Sequence, residues 1–235
     1  MQAVNFPALG KSCVGARVAL DRGMGGDVQR MISDMPPLLR ALLVERFTDS
    51  PLAYHNIAHI RHMLEGLERV FAAGLSARDL KVLRYAVWVH DAFYDTQAKD
   101  NERRSADIGL ALLQWPEDEL RDFETCVMAT KGHATDHRLA QILVDLDLSI
   151  LASERDAYCD YALAIRDEYR VYPDAAYRAG RVQVLEHLCA APLLRVLSAA
   201  EGLAEDALER KARANMRWEQ EMLLGPAETV EAALA

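Results

Sequence analysis

The chain has 235 residues, 51% of them hydrophobic, with a net charge of −9 when the histidines are neutral. That is enough apolar material for one sizeable core, and the length suits a single domain. The acidic balance argues against a binder of nucleic-acid polymers, which needs clustered Lys and Arg, and no apolar run reaches the ~18 residues of a membrane span.

Residues 1–26 lack clear periodicity and carry Gly23 and Gly25-Gly26, so a loose N-terminal extension is expected there. Helical spacing runs from Asp27 to Phe47, broken or restarted at Pro36-Pro37. Thr48 to Pro51 reads as a loop. From Asn56 to Ala73 the apolar positions Ile57, Ile60, Met63, Leu64, Leu67 and Phe71 predict one helix, stopped by Gly74. Ser76 can cap the next helix, with Asp79 three residues on, and that helix runs from Ala77 to about His90. After a polar loop over residues 95–100, helices are expected from Asn101 to Gln114, from Pro116 to Lys131 and from Asp136 to Leu151. Three more follow: Ser153 or Glu154 to Val171, Pro173 to Ala190, and Ala204 to Leu224. Residues 225–235 read as a polar, Ala-rich C-terminal tail. Strand signals are nearly absent, so the expected fold is all-α: a compact single-domain helical bundle over residues 27–224.

The four cysteines (Cys13, Cys126, Cys159, Cys189) are scattered without a Cys-x-x-Cys. They read as reduced thiols in a cytoplasmic protein. Lys11 and Arg17 make the N-terminus a poor signal peptide.

Three segments concentrate donor groups. The apolar run Val82 to Val89 delivers an adjacent His90 and Asp91. A neutral imidazole beside a carboxylate is a mixed donor pair suited to a divalent metal, and polar groups at the end of an apolar helix cost desolvation unless they are used. Upstream, His55 and His59 stand four apart, which on a helix puts them on one face. Asn56 occupies the place of the glutamate in a zincin motif, which is therefore not available. Downstream, Asp145 and Asp147 lie in the apolar stretch Ile142 to Leu151 and need a partner such as a cation. Two residues apart on a helix they point in nearly opposite directions, so one of them faces any ion. Lys131 and His133 follow a helix at a glycine break, and Asp95 and Glu102 sit just beyond the His-Asp pair, where a loop could fold over a site.

Taken together, Tyr54-His55-Asn56-x-x-His59, Trp88-x-His90-Asp91, Asn101-Glu102, Lys131-x-His133, Asp145-x-Asp147-Leu148 and Arg166-x-Glu168-Tyr169 resemble the HD-domain metal-dependent phosphohydrolases. Within that superfamily they more closely resemble a bacterial subgroup of uncharacterised predicted phosphohydrolases. That resemblance implies a metal-dependent phosphohydrolase that cleaves a phosphoester or phosphoanhydride bond of a small, possibly nucleotide, substrate with metal-activated water. It implies His59, His90, Asp91 and Asp147 as ligands of one divalent ion, with manganese, magnesium, iron, cobalt, nickel and zinc not distinguished. The choice of Asp147 over Asp145 rests on the family habit of an Asp followed directly by Leu. His55 is implied as the acid on the leaving oxygen, because its segment is similar to one in cyclic-nucleotide phosphodiesterases. Asp95 or Glu102 would orient water, and Lys131 and His133 would steady the phosphate. The subgroup tends to carry a basic residue just before the Tyr-His, where this chain has Leu52-Ala53. Two alternatives stay open: a di-iron oxygenase using His133 and His137, and a metal-binding helical module without turnover.

Overall fold

A buried helix ending in two donor residues is the centre of the architecture. The computed structural model of the chain describes residues 28–29, 31–48 and 50–234, so the expected extension over 1–26 lies outside the described residues. Eleven α-helices and no strand occur among them.

The chain reaches α1 (Pro37–Thr48) through Val28, Ile32 and Met35, all buried. The helix restarts at Pro37, where a missing N–H costs nothing in the first turn, and buries Leu39, Leu43 and Phe47. Next comes α2 (Ile57–Gly66). Asn56 caps it: its side-chain oxygen accepts from the Ala58 N–H, and its amide donates back to the Leu52 and Ala53 carbonyls. The single helix expected to Ala73 does not hold its pitch. It widens into a π turn over Leu67–Phe71 and tightens to a 3-10 turn at Ala72–Gly74. The widening begins just after Gly66, where an added Cβ would lie 2.8 Å from the Leu146 side chain.

Helix α3 (Ala77–Val89) starts at Ser76, whose hydroxyl accepts from the Asp79 N–H. Tyr85 to Val89 are buried without a break, the pattern of a helix surrounded on all sides. It packs against α2, α4 (Asn101–Leu112), α5 (Glu117–Ala129) and α6 (Arg138–Asp147). Gly109 of α4 lies against the Phe123 ring of α5. Helix α6 also packs on α2, then tightens into a 3-10 turn over Leu148–Ala152.

Helices α7 (Arg155–Glu168), α8 (Asp174–Ala190) and α10 (Ala207–Leu224) close the other side. Between them a bidentate pair is fully enclosed: the Arg181 guanidinium donates to both oxygens of Glu219 at 2.8 and 3.1 Å, and Tyr158 donates to the same carboxylate at 2.5 Å.

Two short helices went unforeseen. One is α9 (Arg195–Ala200), entered through Leu194 in a left-handed conformation with φ 57°. The other, α11 (Val230–Leu234), lies inside the expected tail and buries Val230 and Leu234. Arg178 holds its approach by donating to the Leu223, Ala227 and Thr229 carbonyls, and Asp174 accepts from the Val230 N–H. No helix among the described residues is long and apolar enough to cross a membrane. Cys126, Cys159 and Cys189 are free thiols.

Candidate metal centre

Helices α2, α3 and α6 pack pairwise, and the donors meet where the start of α2 adjoins the ends of the other two. The His59 and His90 Nε2 atoms are 3.3 Å apart. An Asp91 carboxylate oxygen lies 3.1 Å from His90 and 3.9 Å from His59. On the other flank, an Asp147 oxygen lies 3.2 Å from His59 and 3.8 Å from His90. Donors each ~2.1 Å from one centre stand ~3.0 Å apart at right angles and ~3.4 Å apart in a tetrahedron. The 3.1, 3.2 and 3.3 Å separations lie in that range and the 3.8 and 3.9 Å ones exceed it, and His59, His90 and Asp91 form a group that could hold a metal ion.

Each donor is delivered by local structure. The Nδ1–H of His90 donates to the Val87 carbonyl at 2.8 Å, one turn back on its own helix, so Nε2 is the nitrogen that faces the other donors and would offer a lone pair to an ion once deprotonated. His59 is 4% exposed and its Nδ1 is buried without a partner. Its ring is held by packing, with the Tyr54 ring centroid at 4.9 Å. At the end of α6 the two aspartates part ways. Asp147 faces the imidazoles, whereas Asp145 accepts from the Leu197 N–H at 2.9 Å and caps α9. Burial raises the Asp145 pKa, and the α9 amides oppose that rise.

The electrostatics fit a cation. Burial works to lower the His90 pKa, but the Asp91 and Asp147 carboxylates outweigh it and raise it to about 9. Burial would raise both aspartates, yet His90, His55 and His59 hold Asp91 below the usual carboxylate range. His133, His59 and His90 do the same to Asp147. Two ionised carboxylates in so enclosed a place need positive charge beside them. In the ion-free chain a protonated His90 meets part of that need; a divalent ion matches the donor set more fully.

His55 lies before the α2 cap, so the argument from helical spacing does not describe it. Its ring is nevertheless 5.8 Å from that of His59. Sequence reasoning gave its partner no role: the Glu168 carboxylate accepts from His55 Nδ1 at 2.6 Å and from the Tyr54 and His55 N–H groups at 2.6 and 2.8 Å. Burial pushes the His55 pKa down, but Glu168 and the site aspartates raise it overall. Glu168 is correspondingly lowered, against its own burial, by His55 and the two amides. An Arg-x-Glu-Tyr at the end of a helix was the available signal, but nothing in its spacing linked position 168 to position 55. Tyr94 stacks on the His55 ring, with centroids 4.1 Å apart.

His133 occupies a left-handed conformation (φ 52°) at the end of α5, and its Nε2 lies 3.3 Å from the second oxygen of Asp147. The remaining expected residues stand apart. Among the described residues, no hydrogen bond or ion pair joins Asp95, Glu102 or Lys131 to the cluster. The Lys131 ammonium donates to the Lys99 carbonyl, and the Asp95 carboxylate accepts from the Gln97 N–H. His137 pairs with Asp122, which Arg78 also binds, and so is not a second donor beside His133.

No family model, curated protein or solved structure matches this chain.

Proposed function

We propose that this chain is a metal-dependent phosphohydrolase of the HD-domain type, acting on a small phosphorylated substrate. The observation that carries the reading is the group His59, His90 and Asp91, with Asp147 3.2 Å from His59, beside an independently positioned imidazole–carboxylate pair, His55–Glu168. Binding donors and a proton donor within one ring's reach are the parts that hydrolysis of a phosphoester needs.

His59, His90, Asp91 and Asp147 would hold the ion. A divalent cation there supplies Lewis acidity, which makes a water acidic near neutral pH and draws charge from a phosphoryl oxygen. Glu168 keeps a proton on His55 Nδ1, which leaves Nε2 of the imidazolium to donate to the leaving oxygen. His133 braces the second oxygen of Asp147, so that its first oxygen stays turned toward the two ligand imidazoles. Asp95, which lines the neighbouring groove, and Glu102, in the first turn of α4, would orient water only from outside the ligand cluster. The position of His137 weighs against the oxygenase alternative, which needs it as a ligand.

The test is a screen of purified protein against phosphoesters and nucleotides, with manganese, magnesium, iron, cobalt, nickel and zinc supplied in turn. Metal-dependent turnover that disappears in His59→Ala is expected. A His59→Ala protein with full metal content and undiminished turnover, or a wild-type protein inert across the panel, would refute the reading.

A further inference from the structure

An open groove of about 500 Å³ adjoins the site. Its lining includes Arg46, Ala92, Tyr94, Thr96 and Glu168. Three of these touch the proposed machinery directly. Ala92 follows Asp91, Tyr94 stacks on His55, and Glu168 binds it. The geometry points to Arg46 as the residue that binds the anionic end of the substrate in this groove, with a phosphoryl group as the ligand chemistry. The choice of phosphoryl rests on the phosphohydrolase reading.

Arg46 is the only cationic residue in the lining, and α1 brings it there. Of its five N–H donors, the described contacts use two: Nη1 to the Ser50 hydroxyl at 2.8 Å and Nη2 to the His55 carbonyl at 3.0 Å. Among the described residues no carboxylate stands within ion-pair distance of it. The negative groups that do influence it, Asp91 and Glu168, are already engaged by imidazoles and amides. Burial shifts the guanidinium pKa downward, the signature of a cation held partly out of water. A partly desolvated guanidinium that lies over the Phe47 ring, with spare donors and no ion-pair partner, is fitted to a planar oxyanion fork. Its bond to the His55 carbonyl ties that fork to the residue that carries the proposed acid.

A second role is visible in the same contacts, because Arg46 also clips the 50–55 segment in place. The experiment separates the two. Methylenediphosphonate, which carries two phosphoryl groups and resists hydrolysis, is titrated calorimetrically into the manganese-loaded full chain. Arg46→Gln is expected to weaken binding about tenfold or more, and Arg46→Lys to recover part of the loss. Ser50→Ala removes one clip contact and no charge, and should bind as the wild type does. Unchanged affinity in Arg46→Gln, an equal loss in Ser50→Ala, or no binding by the wild type would overturn the assignment. Should Arg46→Gln not fold, Arg46→Lys decides, since an affinity equal to wild type would show that the fork is not used. The phosphohydrolase reading fails separately, when the wild type turns over no phosphoester although its affinity for the diphosphonate depends on Arg46.

Discussion

Removing the Glu168 carboxylate tests the pairing that sets His55 apart from an ordinary half-buried histidine. Glu168→Ala strands three donors: the Tyr54 and His55 amides and His55 Nδ1. Orphaned donors cost about 1–3 kcal/mol each, and because these are only partly buried the lower end applies, giving a loss of about 3–5 kcal/mol. Glu168→Gln keeps an oxygen for the two amides but loses the charge and the acceptor for the His55 Nδ1 proton, for about 1–3 kcal/mol. The pH dependence has a definite sign. The folded His55 pKa lies above its ordinary 6.5, so its share of stability is complete below that value and is lost as pH rises through the raised one. The folded Glu168 pKa lies below its ordinary 4.5, so its share is complete above 4.5 and is lost as pH falls through the lowered one. The gap between wild type and Glu168→Gln is therefore widest near pH ~5–6 and narrows in alkali. Urea unfolding across that range, with an NMR titration of the imidazole protons, measures both. An alanine variant within ~1 kcal/mol of wild type, a gap that ignores pH, or a His55 that titrates unchanged in Glu168→Gln would refute the pairing.

The two aspartates of α6 separate cleanly. Asp147→Asn should weaken manganese binding at least ~100-fold, whereas Asp145→Ala should leave metal uptake intact and lower stability by about 1 kcal/mol through loss of the α9 cap. Calorimetric titration and thermal melts distinguish them, and the reverse pattern would exchange their roles. Glu219→Ala leaves the Arg181 guanidinium buried and unpaired and should cost about 3–5 kcal/mol in denaturant unfolding, while replacing both residues with methionine should recover most of it. Gly109→Ala would place a Cβ 2.3 Å from Phe123 Cζ and, if the ring must shift, should destabilise by about 1–3 kcal/mol, read from the urea midpoint.

The helices were legible wherever apolar spacing and caps agreed. Ser76 with Asp79 marked the start of α3, and Pro37 the restart of α1. The signal failed where the determinant was a distant contact. Helix α9 owes its start to the carboxylate of Asp145, which binds the Leu197 N–H from 52 positions earlier in the chain, and α11 exists because Val230 and Leu234 find a surface on α7 and α10. Neither leaves a periodic trace. At the site, the residue types were readable, and so was the divergence of Asp145 from Asp147, which follows from helical geometry. Glu168 and Arg46 were not assigned roles, since each acts on position 55 from an element whose packing sequence alone does not reveal.

The bond from His90 to the Val87 carbonyl has a consequence for how the centre tolerates change. Many metal-binding histidines are oriented by another side chain, and one substitution can then release the ring. Here the main chain does the orienting, and every amino acid at position 87 brings the same oxygen. Mutational drift around α3 can alter the packing of this imidazole, yet it cannot readily reassign which nitrogen looks inward. His59, whose second nitrogen has no such tether, depends on the packing of Tyr54 and its other neighbours for its orientation.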